Sequence, residues 1–163
     1  MIYLILIITV LSLWIVYKYY ERHTVNKSKD SSKMSFKESM DLTELPVVTF
    51  LVGESKLNFL LDTGSNISYI NETLLDNIEH EPLKIMSQGI GIDGKPFDIK
   101  YCTLKLSYKE FSFDTEFGVR DIDEAFGALK RENGINIHGI LGSRFFEEYN
   151  YVFDFKDLIA YIR

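Results

Sequence analysis

One cysteine, Cys102, stands among 163 residues, so no intramolecular disulfide can form and a cysteine-built zinc site is excluded. Prolines number three and glycines ten, too few for a fibrous repeat or a long Pro/Gly linker. No period recurs along the chain. The three histidines, His23, His80 and His138, lie far apart without ligand spacing. Each reads as a surface or loop residue, and no metal is expected. Positive charge is also short: 18 Lys and Arg stand against 24 Asp and Glu, a net charge of −6. Residues 1–42 hold six basic side chains against four acids, whereas the remainder holds twelve against twenty. So acidic a body repels phosphate backbones, and nucleic acid is not an expected partner.

What is present is apolar surface. Hydrophobic residues make up 46% of the chain and aromatics 14%, enough for the core of one domain plus attachments. Residues 1–17, MIYLILIITVLSLWIVY, carry no charge. As a helix they would span roughly 26 Å, the short end of what a bilayer core needs. Tyr17, Tyr19 and Tyr20 would then lie at headgroup level, with Trp14 just inside. The basic leader and small-residue cleavage site of a signal peptide are absent. The segment also lacks the polar face of a core helix. It predicts a single-pass transmembrane anchor over residues 1–20 and a membrane localisation. The basic residues after it favour a cytoplasmic C-terminal domain, but a lone N-terminal anchor often exports the domain behind it, so the side stays open. Residues 21–42, polar and rich in Lys and Ser, read as a juxtamembrane tether, with a short helix over residues 35–42 as an alternative.

Residues 43–163 are strand-rich. Residues 46–53 and 56–61 are β-branched and aromatic runs about a Glu54-Ser55 turn. Residues 67–70 form a third apolar piece. Residues 85–92 and 96–101 flank Asp93-Gly94, a strong hairpin signal. Residues 103–108 and 111–119 alternate about Lys109-Glu110. Residues 123–132 read as a short helix, and Ser143 as the cap of another over residues 144–149. Residues 151–155 and 158–162 close the chain as a hairpin. Many short strands and little helix argue for a compact β-sheet or barrel.

Residues 60–65, LLDTGS, lead an apolar strand to a carboxylate in a tight turn. Apolar flanks disfavour the charged form of Asp62 unless hydrogen bonds compensate. Gly64 admits a close backbone approach, and Thr63 and Ser65 place hydroxyls beside the acid. These are ingredients for general acid–base work. The same residue types favour turns, so the motif alone can be no more than the end of a strand.

A second feature lies downstream, where residues 138–143, HGILGS, set Ile140, Leu141 and Gly142 before a helix start. A glycine-tipped hairpin, QGIGIDGKPF at residues 88–97, falls between the two, and SRFFEEYNYVFDFKDLIAYI ends the chain as helix then hairpin. The combination, over residues 45–162, resembles the retropepsin-like aspartic proteases. The resemblance implies a mostly β, retropepsin-like acid protease fold, closed and barrel-like with one short C-terminal helix, preceded by the transmembrane helix. It implies Asp62 as the catalytic acid, Thr63 interlocking with its counterpart in a second copy, and Gly64 letting the two loops approach. Ser65 would hydrogen-bond the carboxylate, and Ile140, Leu141 and Gly142 would brace the loop from below. Gly91, Ile92, Asp93 and Gly94 would tip a flap over the substrate. The implied activity is that of an aspartic endopeptidase acting on extended polypeptides, apolar around the scissile bond, without a cofactor. The insert at residues 121–137 receives no role.

A single Asp-Thr-Gly per chain carries a consequence. Peptide hydrolysis of this kind needs two carboxylates sharing one proton, and the domain is too short for two lobes. A homodimer is therefore expected, with the edge of the strand at residues 158–162 pairing with a second copy. A tether in a membrane would favour that pairing, and the tether itself is a candidate self-cleavage site. Two rivals stand beside this reading: a non-catalytic peptide-binding module of the same fold, and a structural β-domain. The latter would set residues 140–142 away from the Asp62 loop.

Overall fold

The computed structural model describes residues 9–20, 31–90 and 94–163. Residues 9–20 are helical (α1). Among the described residues no helix is long and apolar enough to cross a membrane. The expected transmembrane helix over residues 1–20 is thereby corrected, and the membrane association that rested on it is not supported. Its residues 1–8 lie outside the described residues, as do residues 21–30 of the expected tether.

Among the described residues ten strands succeed it: β1 (Met34–Ser35), β2 (Val47–Val52), β3 (Ser55–Leu61), β4 (Ser68–Asn71), β5 (Glu81–Ile90), β6 (Pro96–Tyr108), β7 (Phe111–Arg120), β8 (Gly139–Leu141), β9 (Tyr151–Asp154) and β10 (Ile159–Ile162). The helices are α2 (Lys37–Thr43), α3 (Asp123–Asn133) and α4 (Ser143–Glu148), with a 3-10 turn at Glu72–Asn77. Seven strands form one sheet in the order β2-β3-β8-β4-β7-β6-β5. It closes on itself because β2 also pairs with β6, Leu51 opposite Ser107 and Val52 opposite Leu106. Closure removes two edges and leaves β5 outside the ring, joined to β6 alone. Alternation along β2, β6 and β7 turns Phe50, Leu104, Leu106, Phe113 and Phe117 inward. Phe50 meets Phe113 edge-on at 5.6 Å, and Phe113 meets Phe145 of α4 at 5.5 Å. Such pairs add to their area burial.

The insert at residues 121–137 is mostly α3. Ile122 and Ile137 form a second apolar cluster with Val47, against which Leu60, Phe126 and Leu129 pack. The insert thus covers the outer side of β3, the strand that leads to Asp62.

The folded body begins earlier than residue 43. Met34 and Phe36 lie in the main core, and β1 pairs with β10, Met34 opposite Ala160 and Ser35 opposite Ile159. The Phe36 N–H donates to Leu158 O at 3.0 Å, and the Ile162 N–H to the buried Ser32 Oγ at 3.1 Å. Ser39 in α2 accepts the Val47 N–H and donates to main-chain oxygens nearby. Residues 31–42 are therefore a built part of the domain. In the single chain the β10 edge expected to pair with a second copy is occupied by β1, so that β10 lies between β9 and β1. Phe36 is only 1% exposed, and truncating a core phenylalanine costs about 3–5 kcal/mol. Phe36→Ala should lower stability to denaturant by about that much, whereas truncation of a mere tether residue would leave the midpoint unmoved.

Candidate active site

Strand β8 is the shortest of the large sheet and the one that builds the site. It runs parallel to β3, with Phe59, Leu60 and Leu61 opposite Gly139, Ile140 and Leu141. On its other side it pairs antiparallel with β4, Tyr69 opposite Ile140. The chain between β3 and β4, residues 62–67, therefore arches over the end of β8.

Four hydrogen bonds fasten the arch and the start of β4 to the end of β8 and the residues that follow it. The Asp62 N–H donates to Leu141 O at 3.0 Å, the Ser143 N–H to Ser65 O at 2.8 Å, and the Arg144 N–H to Asn66 O at 3.4 Å. The Gly142 N–H donates to the buried Ser68 Oγ at 3.1 Å. Ile140 is half-buried, Leu141 fully buried, and Gly142 lies against the arch with no space for a side chain. Residues 140–142 thus stand beneath the Asp62 turn, and the separation that would have favoured the structural rival is not found.

The carboxylate is half-buried, and Thr63 and Gly64 are exposed. Asp62 Oδ1 accepts the Gly64 N–H at 2.8 Å, a charge-assisted bond that fixes the side chain across its own turn. The Ser65 hydroxyl donates to Ile67 O at 2.7 Å, so in the single chain it stiffens the arch rather than touching the carboxylate as expected. Ser143 does not cap α4. That position belongs to Gly142 without a side-chain cap, and Ser143 is the first helical residue.

Beside the arch lies a cavity of about 540 Å³. Asn66, Ile67 and Tyr69 line one wall, Ser87, Gln88, Gly89 and Ile90 of β5 another, and Glu116 and Arg144 also border it. Burial pushes the Tyr69 hydroxyl above its ordinary range, reinforced by Tyr101 and opposed by Arg120. The β5–β6 hairpin above it pairs as far as Ile90 opposite Pro96. Of the expected flap tip, Gly94 is exposed with φ 74°, while Gly91, Ile92 and Asp93 lie outside the described residues. Ile90, at the end of β5, is 77% exposed.

Behind β8 stands a group that sequence reasoning missed. His138, expected as a loop residue, is half-buried. Its N–H donates to Asn58 O at 2.8 Å and its carbonyl accepts the Asn71 N–H at 2.9 Å. The Asn58 N–H in turn donates to His138 Nδ1 at 2.9 Å. Asn136 Nδ2 lies 3.0 Å from Nε2, and its carbonyl accepts from Asn58 Nδ2. Ser68 carried a faint signal as the second serine of Ser65-x-x-Ser. His138 carried none, since its partner is 80 residues away.

No family model matches the chain, and no curated protein does. Among solved structures it is similar to the EIAV protease complexed with the inhibitor HBY-793, at 20% identity over 68% of this chain and 92% of that one, with a TM-score of 0.47.

Proposed function

We propose that the chain is an aspartic endopeptidase subunit that hydrolyses peptide bonds as a homodimer, each copy supplying one Asp62. The supporting observation is the accessible Asp62-Thr63-Gly64 turn, held from below by β8, on an arch whose later residues Asn66 and Ile67 line a cavity. Two such carboxylates at about 3 Å cannot both ionise, so the pair shares one proton and titrates as a unit. The charged member takes a proton from water as it attacks the scissile carbonyl, and the protonated member hydrogen-bonds the carbonyl oxygen. Exposure of Thr63 and Gly64 leaves the tip of each arch free to meet the other. An extended substrate would run along the cavity under β5 and bind by strand-like hydrogen bonds, its alternate side chains filling pockets. The apolar linings Ile67 and Ile90 favour apolar residues beside the cleaved bond.

The test is a peptide-library assay of the full chain across about pH 3–7, with and without a transition-state-mimicking inhibitor of aspartic proteases. Cleavage that the inhibitor blocks is expected. Because the site is shared, the rate per subunit should fall on dilution through the dissociation range of the dimer. A rate per subunit independent of concentration removes the dimer from the mechanism, and no cleavage under any condition removes the enzyme.

A further inference from the structure

Resting on that reading, we infer that His138 is a positioning residue whose neutral ring clasps β8 to β3, so that protonating it loosens the catalytic arch. Three backbone and ring contacts converge on this residue, which immediately precedes β8. Its main-chain N–H and its Nδ1 both bond Asn58, and its carbonyl takes the Asn71 N–H of β4. Asn58 lies four residues before Asp62 on β3, and Leu141, which holds the Asp62 N–H, lies three residues after His138. A shift at the clasp is thus transmitted along two short paired strands into the arch.

The partners of the ring decide its protonation state. A backbone amide can only donate, so Nδ1 must present a lone pair and the neutral ring carries its hydrogen on Nε2. That hydrogen faces the Asn136 side-chain amide, whose Nδ2 is placed 3.0 Å from Nε2; with Nε2 as donor the amide takes the reversed orientation and its Oδ1 accepts. Asn58 Oδ1 is fixed in turn by the Thr49 hydroxyl of β2 at 2.8 Å. An imidazolium would place an N–H on Nδ1 against the Asn58 N–H, donor against donor. The bond would be lost, and a partly buried amide would be left unpaired.

The surroundings oppose the charged form. The groups of β3 and β4 bonded to His138 are neutral main-chain amides and a carbonyl of Asn58 and Asn71, and the Asn71 side-chain amide is itself bound to Asp123 at 2.7 Å. On α3 the Lys130 ammonium repels a second positive charge. Burial and, less strongly, Lys130 hold the ring below its ordinary value of 6.5. The unfolded chain therefore takes up this proton at a higher pH than the folded one. The contribution of the clasp is complete above about pH 6.5 and declines as the pH falls from there toward the lower folded value. A carboxylate pair works when it holds one proton, a condition met in acid. The clasp thus sets the acid limit on activity at a higher pH than the carboxylates alone would impose.

His138→Gln separates the charge from the contacts. Glutamine supplies an acceptor for Asn58 and a donor for Asn136 without titrating, whereas His138→Ala supplies neither. In the full chain, the thermal midpoint of the natural protein should fall relative to His138→Gln as the pH drops below about 6.5. His138→Ala should lie below both at neutral pH. In the natural protein, hydrogen exchange at the Asn58 amide should accelerate about tenfold per pH unit beyond its intrinsic dependence once the ring titrates, with Nδ1 reporting the titration by nitrogen NMR. The acid limb of kcat/KM should move to lower pH in His138→Gln. Parallel midpoints for the natural protein and His138→Gln, or Asn58 protection unchanged through the ring's titration, would overturn the inference. Absence of cleavage with the clasp behaving as described would instead overturn the proposed function, so the two failures are distinct.

Discussion

Asp62→Asn should lower peptide hydrolysis by at least about 10³-fold while leaving the fold in place. The two side chains share a shape, and the asparagine Oδ1 can still accept the Gly64 N–H that fixes the carboxylate at 2.8 Å. What disappears is the ability to share and move a proton. Initial rates should therefore collapse with little change in the denaturation midpoint. Mixing the variant with the natural chain sharpens the result. After subunit exchange at equal amounts only about a quarter of dimers are fully natural, so activity should drop to about a quarter of the undiluted natural level. Retention of half would assign catalysis to single subunits. Full activity in Asp62→Asn alone would end the assignment of chemistry to this residue.

Gly142→Ala should be the most damaging substitution of a single hydrogen by a methyl group. A Cβ there would sit 2.6 Å from the Ile67 carbonyl carbon and 2.9 Å from Ser65 O. Both are backbone atoms of the arch that carries Asp62, and neither can swing aside as a side-chain end would. The arch must lift, at the expense of the Ser143 and Gly142 bonds beneath it. Overpacking of this sort costs about 1–3 kcal/mol, occasionally more, and a displacement of about 1 Å at reacting groups costs about 10² in rate. Gly127→Ala is the matched control. It lies inside α3, where the nearest obstacle is the end of the Arg131 side chain at 3.2 Å. Removing a glycine from a helix interior should raise stability by about 0.5–1 kcal/mol. Denaturant unfolding of both variants checks the contrast, and equal effects would mean that the arch is not braced where the contacts put it.

Local patterns made much of the β architecture legible. Residues 46–53 and 56–61 differ from β2 and β3 by a residue or so, because alternation and a two-residue turn are local signals. The helix at residues 123–132 was likewise readable, closing on Gly134 in the left-handed conformation. Residues 96–101 and 103–108, read separately, are the single strand β6, since nothing between Tyr101 and Thr103 interrupts the ladder. In the N-terminal part of the body only α2 was legible, close to the alternative helix over residues 35–42; the packing of β1 was not. Met34 and Phe36 are two apolar residues in a polar stretch, and only their landing on β10 and the core makes them structural. The uncharged run at residues 1–17 erred in the opposite direction, its composition suggesting a span, whereas among the described residues no helix is long and apolar enough to cross a membrane.

The candidate site divides in the same way. The Asp-Thr-Gly turn and the Ile-Leu-Gly run announce themselves by residue type, but their adjacency is a product of β8 entering between β3 and β4. The role of Ser65 was misjudged because a hydroxyl bonds whichever acceptor the finished turn presents, and here that is Ile67 O. His138 was invisible for the same reason, its partners being supplied by strands distant in sequence.

The two-residue ladder between β1 and β10 places a condition on assembly. Main-chain groups of Ile159 and Ala160 that an incoming molecule would seek are already engaged by Met34 and Ser35 of the same polypeptide. An attached arm competes at an effective concentration on the millimolar scale, so self-closure prevails in dilute solution. Two copies can nonetheless trade arms, each laying its β1 on the other's β10, at no net loss of hydrogen bonds. The reach of the chain between Phe36 and Val47, rather than the strength of the ladder, then governs whether the arm stays home or crosses.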